Sequence, residues 1–357
     1  MNSGAPHLLF FADAQSVHTQ RWVGAMVLRG WRCSVVSRQA HQIPGAEVVA
    51  LDTPDGSWAW FAALPRVRAI AARLRPDLVH GHYITSYGLW AAACGRGPCV
   101  LTGWGSDILV SPRQSRAVHA LTGWTLRRAA LITADSQDML DEIATWRPRA
   151  PLHQIYWGAD TGKFRPQPRA LRPYRIVSLR AWDTNYNIDI IVDAMAALRR
   201  RLNGELELHL LGGGPLEGRL RAQVKALGLD EVVQFHGRVG EDRMAELVNR
   251  AHVSVSIPSS DATSVALLES MAAGLPVVVS DLPANRQWVD ATGGMLVAPR
   301  DAAAAADALA LLAADPEQAA RMGQANRARV EPEASRRHQM DRMDALYRQL
   351  LARKGAV

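Results

Sequence analysis

Cysteine is scarce in this chain. Its three residues, Cys33, Cys94 and Cys99, are an odd number and include no Cys-x-x-Cys pair. Such spacing excludes a disulfide framework and a paired-cysteine zinc site, and fits reduced thiols in a cytosolic protein. No apolar run reaches the ~20 residues needed to span a bilayer. The first residues enter a strand-like run with no signal-peptide pattern. Any membrane contact is therefore expected to be peripheral. Also missing are a Gly-x-Ser-x-Gly elbow, a Walker A loop and a His-Glu-x-x-His pair. Their absence removes the hydrolase, P-loop and zinc-protease chemistries that depend on them.

What is present is a 357-residue chain, about half apolar and a fifth charged, with a formal net charge of +7. That length suggests two domains. The basic balance admits nucleic acid, an anionic membrane or anionic substrates. The arginines are scattered and no aromatic-rich basic module such as RNP1 occurs, so nucleic acid is not expected.

Short apolar runs suited to strands alternate with helical patterns along the whole chain. In the first half the strands are expected at 7–12, 33–37, 47–51, 78–80, 99–102, 131–134 and 153–156, and the helices near 19–28, 65–74, 85–93, 115–128 and 137–145. The second half repeats the plan. Its strands are expected at 175–179, 206–211, 232–235, 253–257, 277–279 and 295–297, and its helices near 188–200, 215–226, 242–249, 265–272 and 302–314. Such alternation implies right-handed βαβ units and two parallel sheets. Open sheets of this kind place a ligand at the C-ends of their strands, here in a crevice between two domains. The stretch 162–173, with three prolines and four basic residues, reads as the linker. The last helical stretch, 333–353, could cross back onto the first domain.

The chemistry concentrates in 260–276, Ser-Asp-Ala-Thr-Ser-Val-Ala-Leu-Leu-Glu-Ser-Met-Ala-Ala-Gly-Leu-Pro. Thr263 or Ser264 should cap a helix that Gly274 and Pro276 end. Asp261 then lies on the strand-to-helix loop and Glu269 about two turns into the helix. Helix N-termini attract phosphate, and carboxylates accept hydrogen bonds from sugar hydroxyls.

The acid pair resembles the Glu-x7-Glu motif of glycosyltransferase family 4, the retaining GT-B glycosyltransferases of group 1. Asp261 stands for the first glutamate, and the following Ser-Met-Ala-Ala-Gly-Leu-Pro-Val is similar to that family's sequence. The resemblance implies an α/β GT-B fold of two Rossmann-like domains facing an interdomain cleft. It would comprise an acceptor domain at 1–165, a nucleotide-sugar domain at 166–332 and a C-terminal helix at 333–357. It further implies that Asp261 meets sugar hydroxyls, that Glu269 meets the ribose, and that amides near Ser264 and Val265 meet the phosphates, with Leu268 in the same set. Arg180, at the end of the second domain's first strand, would neutralise the diphosphate leaving group. The family has a lysine and a glycine after this arginine where this chain has Tyr186 and Asn187, so either Arg180 carries more of the charge or a residue such as Arg172 or Lys163 substitutes for the lysine. Gly212 and Gly214 resemble the family's Gly-x-Gly-Pro turn beside the nucleotide, and His236 falls in a segment similar to the one whose backbone meets the base.

In the first half, Ser16, His18 and Thr19 open the first helix in a His-Thr-x-Arg-Trp version of the family's loop. They could offer donors to a phosphate or an acceptor, while Thr19 alone could be an ordinary cap and Trp22 core. His82, in His-Gly-His-Tyr, could meet the acceptor or the leaving group, and Asp107, in Thr-Gly-Trp-Gly-Ser-Asp, could meet an acceptor hydroxyl or cap a helix. Trp104 occupies the place of a family histidine and could stack on a sugar. The stripe of Trp60, Leu64, Val67, Ile70 and Leu74, flanked by arginines, fits either sheet packing or an anionic membrane surface.

GT-A glycosyltransferases hold a divalent metal with an Asp-x-Asp triplet, and this chain has none. The resemblance therefore implies a metal-independent transfer of a hexosyl group from UDP-sugar or GDP-sugar, with no cofactor and no metal. The acceptor could be a lipid-linked or cell-envelope glycan, or a small molecule. A GT-B sugar-nucleotide epimerase or hydrolase, and a non-catalytic sugar-nucleotide-binding subunit, remain alternatives. The expected location is the cytoplasm, with or without peripheral contact at an anionic membrane.

Overall fold

The computed structural model describes residues 4–170, 172–202 and 205–355. The expected segments 1–165, 162–173, 166–332 and 333–357 each include residues outside that range. The chain divides into two units. One holds the residues up to Trp157 together with those from Arg337 onward, and the other is Gly158–Arg336.

In the first unit, strands β1 (His7–Phe11), β2 (Arg32–Ser37), β3 (Ala46–Ala50), β4 (Leu78–His82), β5 (Cys99–Thr102), β6 (Leu131–Ala134) and β7 (Leu152–Gln154) form a parallel sheet. Its order is β3-β2-β1-β4-β5-β6-β7. The central β1, His-Leu-Leu-Phe-Phe, is buried along its whole length, which is why it reads as a continuous apolar run. Between the strands run α1 (Val17–Leu28), α2 (Ser57–Ala62), α3 (Leu64–Leu74), α4 (Tyr87–Ala93), α5 (Ser106–Leu109), α6 (Ser111–Gln114), α7 (Arg116–Leu126) and α8 (Gln137–Thr145). The Trp60–Leu74 stripe faces inward, with Val67 fully buried. Trp60 stacks 4.6 Å from Trp90 of α4, and the Trp90 indole donates to its carbonyl at 2.8 Å. Packing therefore uses the stripe, while Trp58 and Phe61 stay exposed.

In the second unit, β8 (Tyr174–Ser178), β9 (Leu206–Leu211), β10 (Val233–Gly237), β11 (Val253–Ser256), β12 (Val277–Ser280) and β13 (Gly294–Val297) form a parallel sheet ordered β10-β9-β8-β11-β12-β13. Helices α9 (Ile188–Arg201), α10 (Glu217–Ala226), α11 (Glu241–Arg250), α12 (Val265–Ala272), α13 (Pro283–Arg286), α14 (Ala302–Ala314) and α15 (Pro316–Ala334) flank it. The proline-rich stretch read as a linker lies on this unit. The Arg165 amide donates to the Asn249 side chain at 3.0 Å, and the Arg169 guanidinium donates to the Ala273 carbonyl at 2.7 Å.

The final helix, α16 (Arg336–Gly355), returns to the first unit. Its buried Tyr347 hydroxyl meets His80 Nδ1 at 2.5 Å and accepts from Trp22 Nε1 at 3.1 Å. His80 Nε2 reaches the Thr102 hydroxyl at 2.6 Å, so a satisfied polar chain ties α16 to β4 and β5. Among the described residues no helix is long and apolar enough to cross a membrane.

Candidate functional site

Each sheet reverses direction beside its first strand, β8 next to β11 in one unit and β1 next to β4 in the other. The loops leaving those strands diverge, and a crevice opens at the C-terminal edge where ligands of α/β sheets bind. Most of the residues singled out above lie at these two edges.

In the second unit, Arg180 follows β8 and is only 7% exposed. Its Nη2 donates to Asp261 Oδ2 at 2.7 Å, and its Nη1 donates to the Ser264 hydroxyl. The guanidinium carbon lies 4.4 Å from the centre of the Tyr186 ring. Burial raises the Asp261 pKa, against which the Arg180 charge pulls downward. Ser264 is the N-cap of α12, with extended backbone and a side chain that accepts from the Leu267 amide at 3.3 Å. Val265 opens the helix. The Leu268 amide is spent on the Ser264 carbonyl at 3.1 Å and its side chain is core, so it presents nothing to a ligand.

Glu269 is 3% exposed and faces Arg336, whose Nη2 lies 3.9 Å from its Oε1. Arg336 also donates to Glu241 at 2.8 Å. The turn after β9 needs its glycines for a local reason. A Cβ on Gly212 would meet the Arg180 carbonyl at 2.2 Å, and one on Gly214 would meet the Trp182 carbonyl at 2.3 Å. Both therefore let the turn lie directly against the loop that carries Arg180.

The His236 ring turns to His209, with its Nε2 2.9 Å from His209 Nδ1, and this leaves the expected contact of the segment's backbone with the base unaffected. Two expectations change here. Lys163 is held by Glu241 at 3.1 Å and Asp242 at 2.7 Å. Arg172 precedes β8 whereas Arg180 follows it, and a five-residue strand places their backbones ~17 Å apart or more. Neither supplies the missing cation beside Arg180. Tyr186 and Asn187 do explain themselves. Asn187 has φ of 51°, the left-handed conformation that asparagine tolerates where the family has glycine.

In the first unit, the cap of α1 is Ser16, whose hydroxyl accepts from the His18 amide at 3.3 Å. Thr19, the expected cap, sits inside the helix and is fully buried. His18, Trp22, His82, Trp104 and Trp157 form one aromatic cluster. His82 lies 5.7 Å from Trp104 and 5.2 Å from Trp22, and Trp157 lies 5.0 Å from His18 and 4.9 Å from Trp104. Both His82 nitrogens and the Trp104 indole N–H find no hydrogen-bond partner among the described residues. Buried donors and acceptors of this kind are costly unless a ligand or water meets them.

Asp107 is fully buried and spends its carboxylate on the chain. Oδ1 accepts from the Trp104 and Gly105 amides, both at 2.9 Å, and Oδ2 accepts from the Ile84 amide at 2.6 Å. Burial raises its pKa to about 6 despite those three donors. It clamps the loops after β4 and β5 together instead of facing an acceptor.

Burial also pulls the His82 pKa down to about 3, with His18 adding to the shift, and holds His80 well below its ordinary value. The unfolded imidazoles take up a proton near pH 6.5. The stability gained by burying them neutral is therefore whole above pH 6.5 and is lost as pH falls toward 3, at up to ~1.4 kcal/mol per pH unit for each ring. Denaturant unfolding between pH 7 and pH 4 should show this decline, and His82→Phe should flatten it. An unchanged slope in that variant would contradict the assignment.

Two family descriptions match the chain, "Glycosyl transferases group 1" over residues 160–329 and "Glycosyl transferase 4-like" over residues 7–136. The chain is 30% identical over 353 residues to the GDP-mannose-dependent alpha-(1-6)-phosphatidylinositol monomannoside mannosyltransferase of Mycobacterium tuberculosis, covering 88% of this chain and 84% of that one. Its fold is similar to sucrose-phosphate synthase from Thermosynechococcus elongatus, with a TM-score of 0.82 at 20% identity over 98% and 99% of the two chains. It is also similar to the Anabaena protein HepE crystallised with UDP-glucose, with a TM-score of 0.79 at 16% identity over 96% and 99%.

Proposed function

Because this chain belongs to the group 1 glycosyltransferases, the family 4 type with the GT-B fold, we propose that it transfers a hexosyl group from a nucleoside-diphosphate sugar to an acceptor, with retention at the anomeric carbon and without a metal. The observation that carries this reading is Arg180. It is a nearly buried guanidinium at the switch point of the second unit, bonded to the cap of α12 and to the first acid of the motif. A fixed cation beside a helix N-terminus suits a diphosphate, whose negative charge grows as the sugar leaves.

The donor would lie on the second unit, its diphosphate at Arg180 and the Ser264–Val265 amides, its ribose at Glu269 and its sugar hydroxyls at Asp261. In a same-face substitution the bond from the anomeric carbon to the phosphate oxygen breaks as the acceptor oxygen adds. The departing phosphate takes the acceptor proton, and Arg180 stabilises the charge left on the diphosphate. The acceptor would lie on the first unit, at the His82–Trp104 cluster, where the unpartnered ring nitrogens can meet a hydroxyl. The lipid acceptor in the name of the mycobacterial relative supports a lipid-linked acceptor here. The exposed Trp58 and Phe61 would then touch an anionic membrane surface, and the buried free thiols of Cys33, Cys94 and Cys99 support a cytoplasmic location. GDP-mannose and UDP-glucose, named with the relatives above, are the first donors to test.

Excess EDTA should leave the release of nucleoside diphosphate from the preferred donor unchanged. A loss of turnover restored by Mg²⁺ or Mn²⁺ would overturn the metal-free reading.

A further inference from the structure

Arg180 is held along one edge by Asp261 and Ser264, and those contacts alone leave the guanidinium plane free to roll about that edge. The plane is fixed by the ring beneath it, Tyr186, 4.4 Å from the guanidinium carbon. The ring is itself tied down. Tyr186 ends a 3-10 turn, Thr184–Tyr186, and the asparagines on either side of Tyr186 are laced to the loop carrying Asp261. The Asn185 side chain donates to the Ser260 carbonyl at 2.9 Å, and the Ser259 amide donates to the Asn185 carbonyl at 2.8 Å. Asn187 donates to the Ile257 carbonyl and to the Ser259 hydroxyl, both at 2.9 Å. Tyr186 also packs against the core of the second unit. The turn that supplies the ring and the loop that supplies the acid are thus one stitched piece, with Arg180 clasped between them.

We propose that Tyr186 is a positioning residue of the transfer reaction, its ring face fixing the Arg180 guanidinium in the plane that meets the donor diphosphate. The proposal rests on the donor-site reading of Arg180. The resembling family places a lysine where this chain has Tyr186. A lysine there would add a second, mobile positive charge beside the arginine. The ring adds no charge and instead attracts the face of the one cation present, because the face of an aromatic ring is electronegative. This site thus relies on one oriented arginine. An oriented guanidinium loses less freedom on meeting a diphosphate, since its fork is already aligned for paired hydrogen bonds.

The test is calorimetric and needs no acceptor. UDP with UMP, and GDP with GMP, are titrated into the full chain, and the affinity gap between diphosphate and monophosphate reads the contact to the second phosphate. Tyr186→Leu should narrow that gap about fivefold. Tyr186→Phe and Tyr186→Trp, which keep a ring, should restore most of it. The double variant of Tyr186→Leu with Arg180→Ala should narrow the gap no further than Arg180→Ala alone. A merely structural tyrosine would lower affinity for both nucleotides together and leave the gap intact, which would overturn the proposal. So would additive losses in the double variant, or a phenylalanine variant as impaired as the leucine one. If Arg180→Ala itself leaves the gap unchanged, the donor-site reading of Arg180 falls, and this proposal falls with it. Should Tyr186→Leu fail to fold, the phenylalanine and tryptophan variants still decide, since loss of the gap in both rings would contradict the role of the ring face.

Discussion

Arg180→Ala is expected to lower turnover about 100- to 1,000-fold, the usual cost of removing one preorganised charge-stabilising donor. The affinity for free nucleoside diphosphate should fall far less. The guanidinium meets a charge that grows as the bond to the sugar breaks, so its contribution is larger in the transition state than in the ground state. The environment strengthens the argument. Arg180 is 7% exposed, so its field is poorly screened, and it is held by Asp261 and Ser264 at its two Nη atoms and by the Tyr186 ring at its face. No reorientation is needed when the donor arrives. The variant also leaves the Asp261 carboxylate without its counter-charge in a site where burial already raises its pKa. A melting temperature measured alongside the rates separates this secondary loss from the catalytic one. Steady-state rates with saturating donor decide the matter, and wild-type turnover in the variant would remove Arg180 from the mechanism.

The second large effect concerns binding. Glu269→Ala should weaken binding of the preferred nucleoside diphosphate by roughly 1.5–3 kcal/mol, the range for losing a hydrogen bond to a charged group. Glu269 is 3% exposed on the buried face of α12 and lies within 3.9 Å of the Arg336 guanidinium. A carboxylate there can accept from both ribose hydroxyls. Glu269→Gln should fall between the wild type and alanine, because the amide keeps one acceptor oxygen. Calorimetry on the three proteins reads the order directly. Equal affinities for wild type and alanine would take Glu269 out of the nucleotide site.

Much of the architecture could be read from local chemistry. β1 and β12 are runs of apolar side chains buried on both faces, and their positions follow from that alone. α12 was legible because a serine cap, an apolar core and Gly274 with Pro276 punctuate it. The entrance to α1 was read too late because Thr19 is a good cap by type, whereas the helix begins at Val17 under a Ser16 cap. The capping side of Asp107 was legible because the Trp104 and Gly105 amides it meets are local, whereas its third partner, Ile84, comes from another strand-to-helix loop. Trp157 and Tyr347 were invisible as site neighbours. Tyr347 bonds to Trp22 across 325 residues of chain, and only the sheet order brings them together. The role of Tyr186 was hidden in the same way, because a ring under an arginine is a tertiary contact without a local signature.

The account stands on nucleotide-sugar binding by the second unit, and a thermal-shift series tests it most directly. Ligands that bind the folded state raise its melting temperature, by an amount that grows with the logarithm of ligand concentration over the dissociation constant. UDP, GDP, UDP-glucose and GDP-mannose, each at about one hundred times its dissociation constant, would add ~2.7 kcal/mol of apparent stability to any protein that binds them. The account predicts that at least one nucleoside diphosphate and its sugar raise the melting temperature by several degrees, that the bare nucleoside does not, and that Glu269→Ala abolishes most of the rise. No shift with any of the four up to millimolar concentration would contradict it.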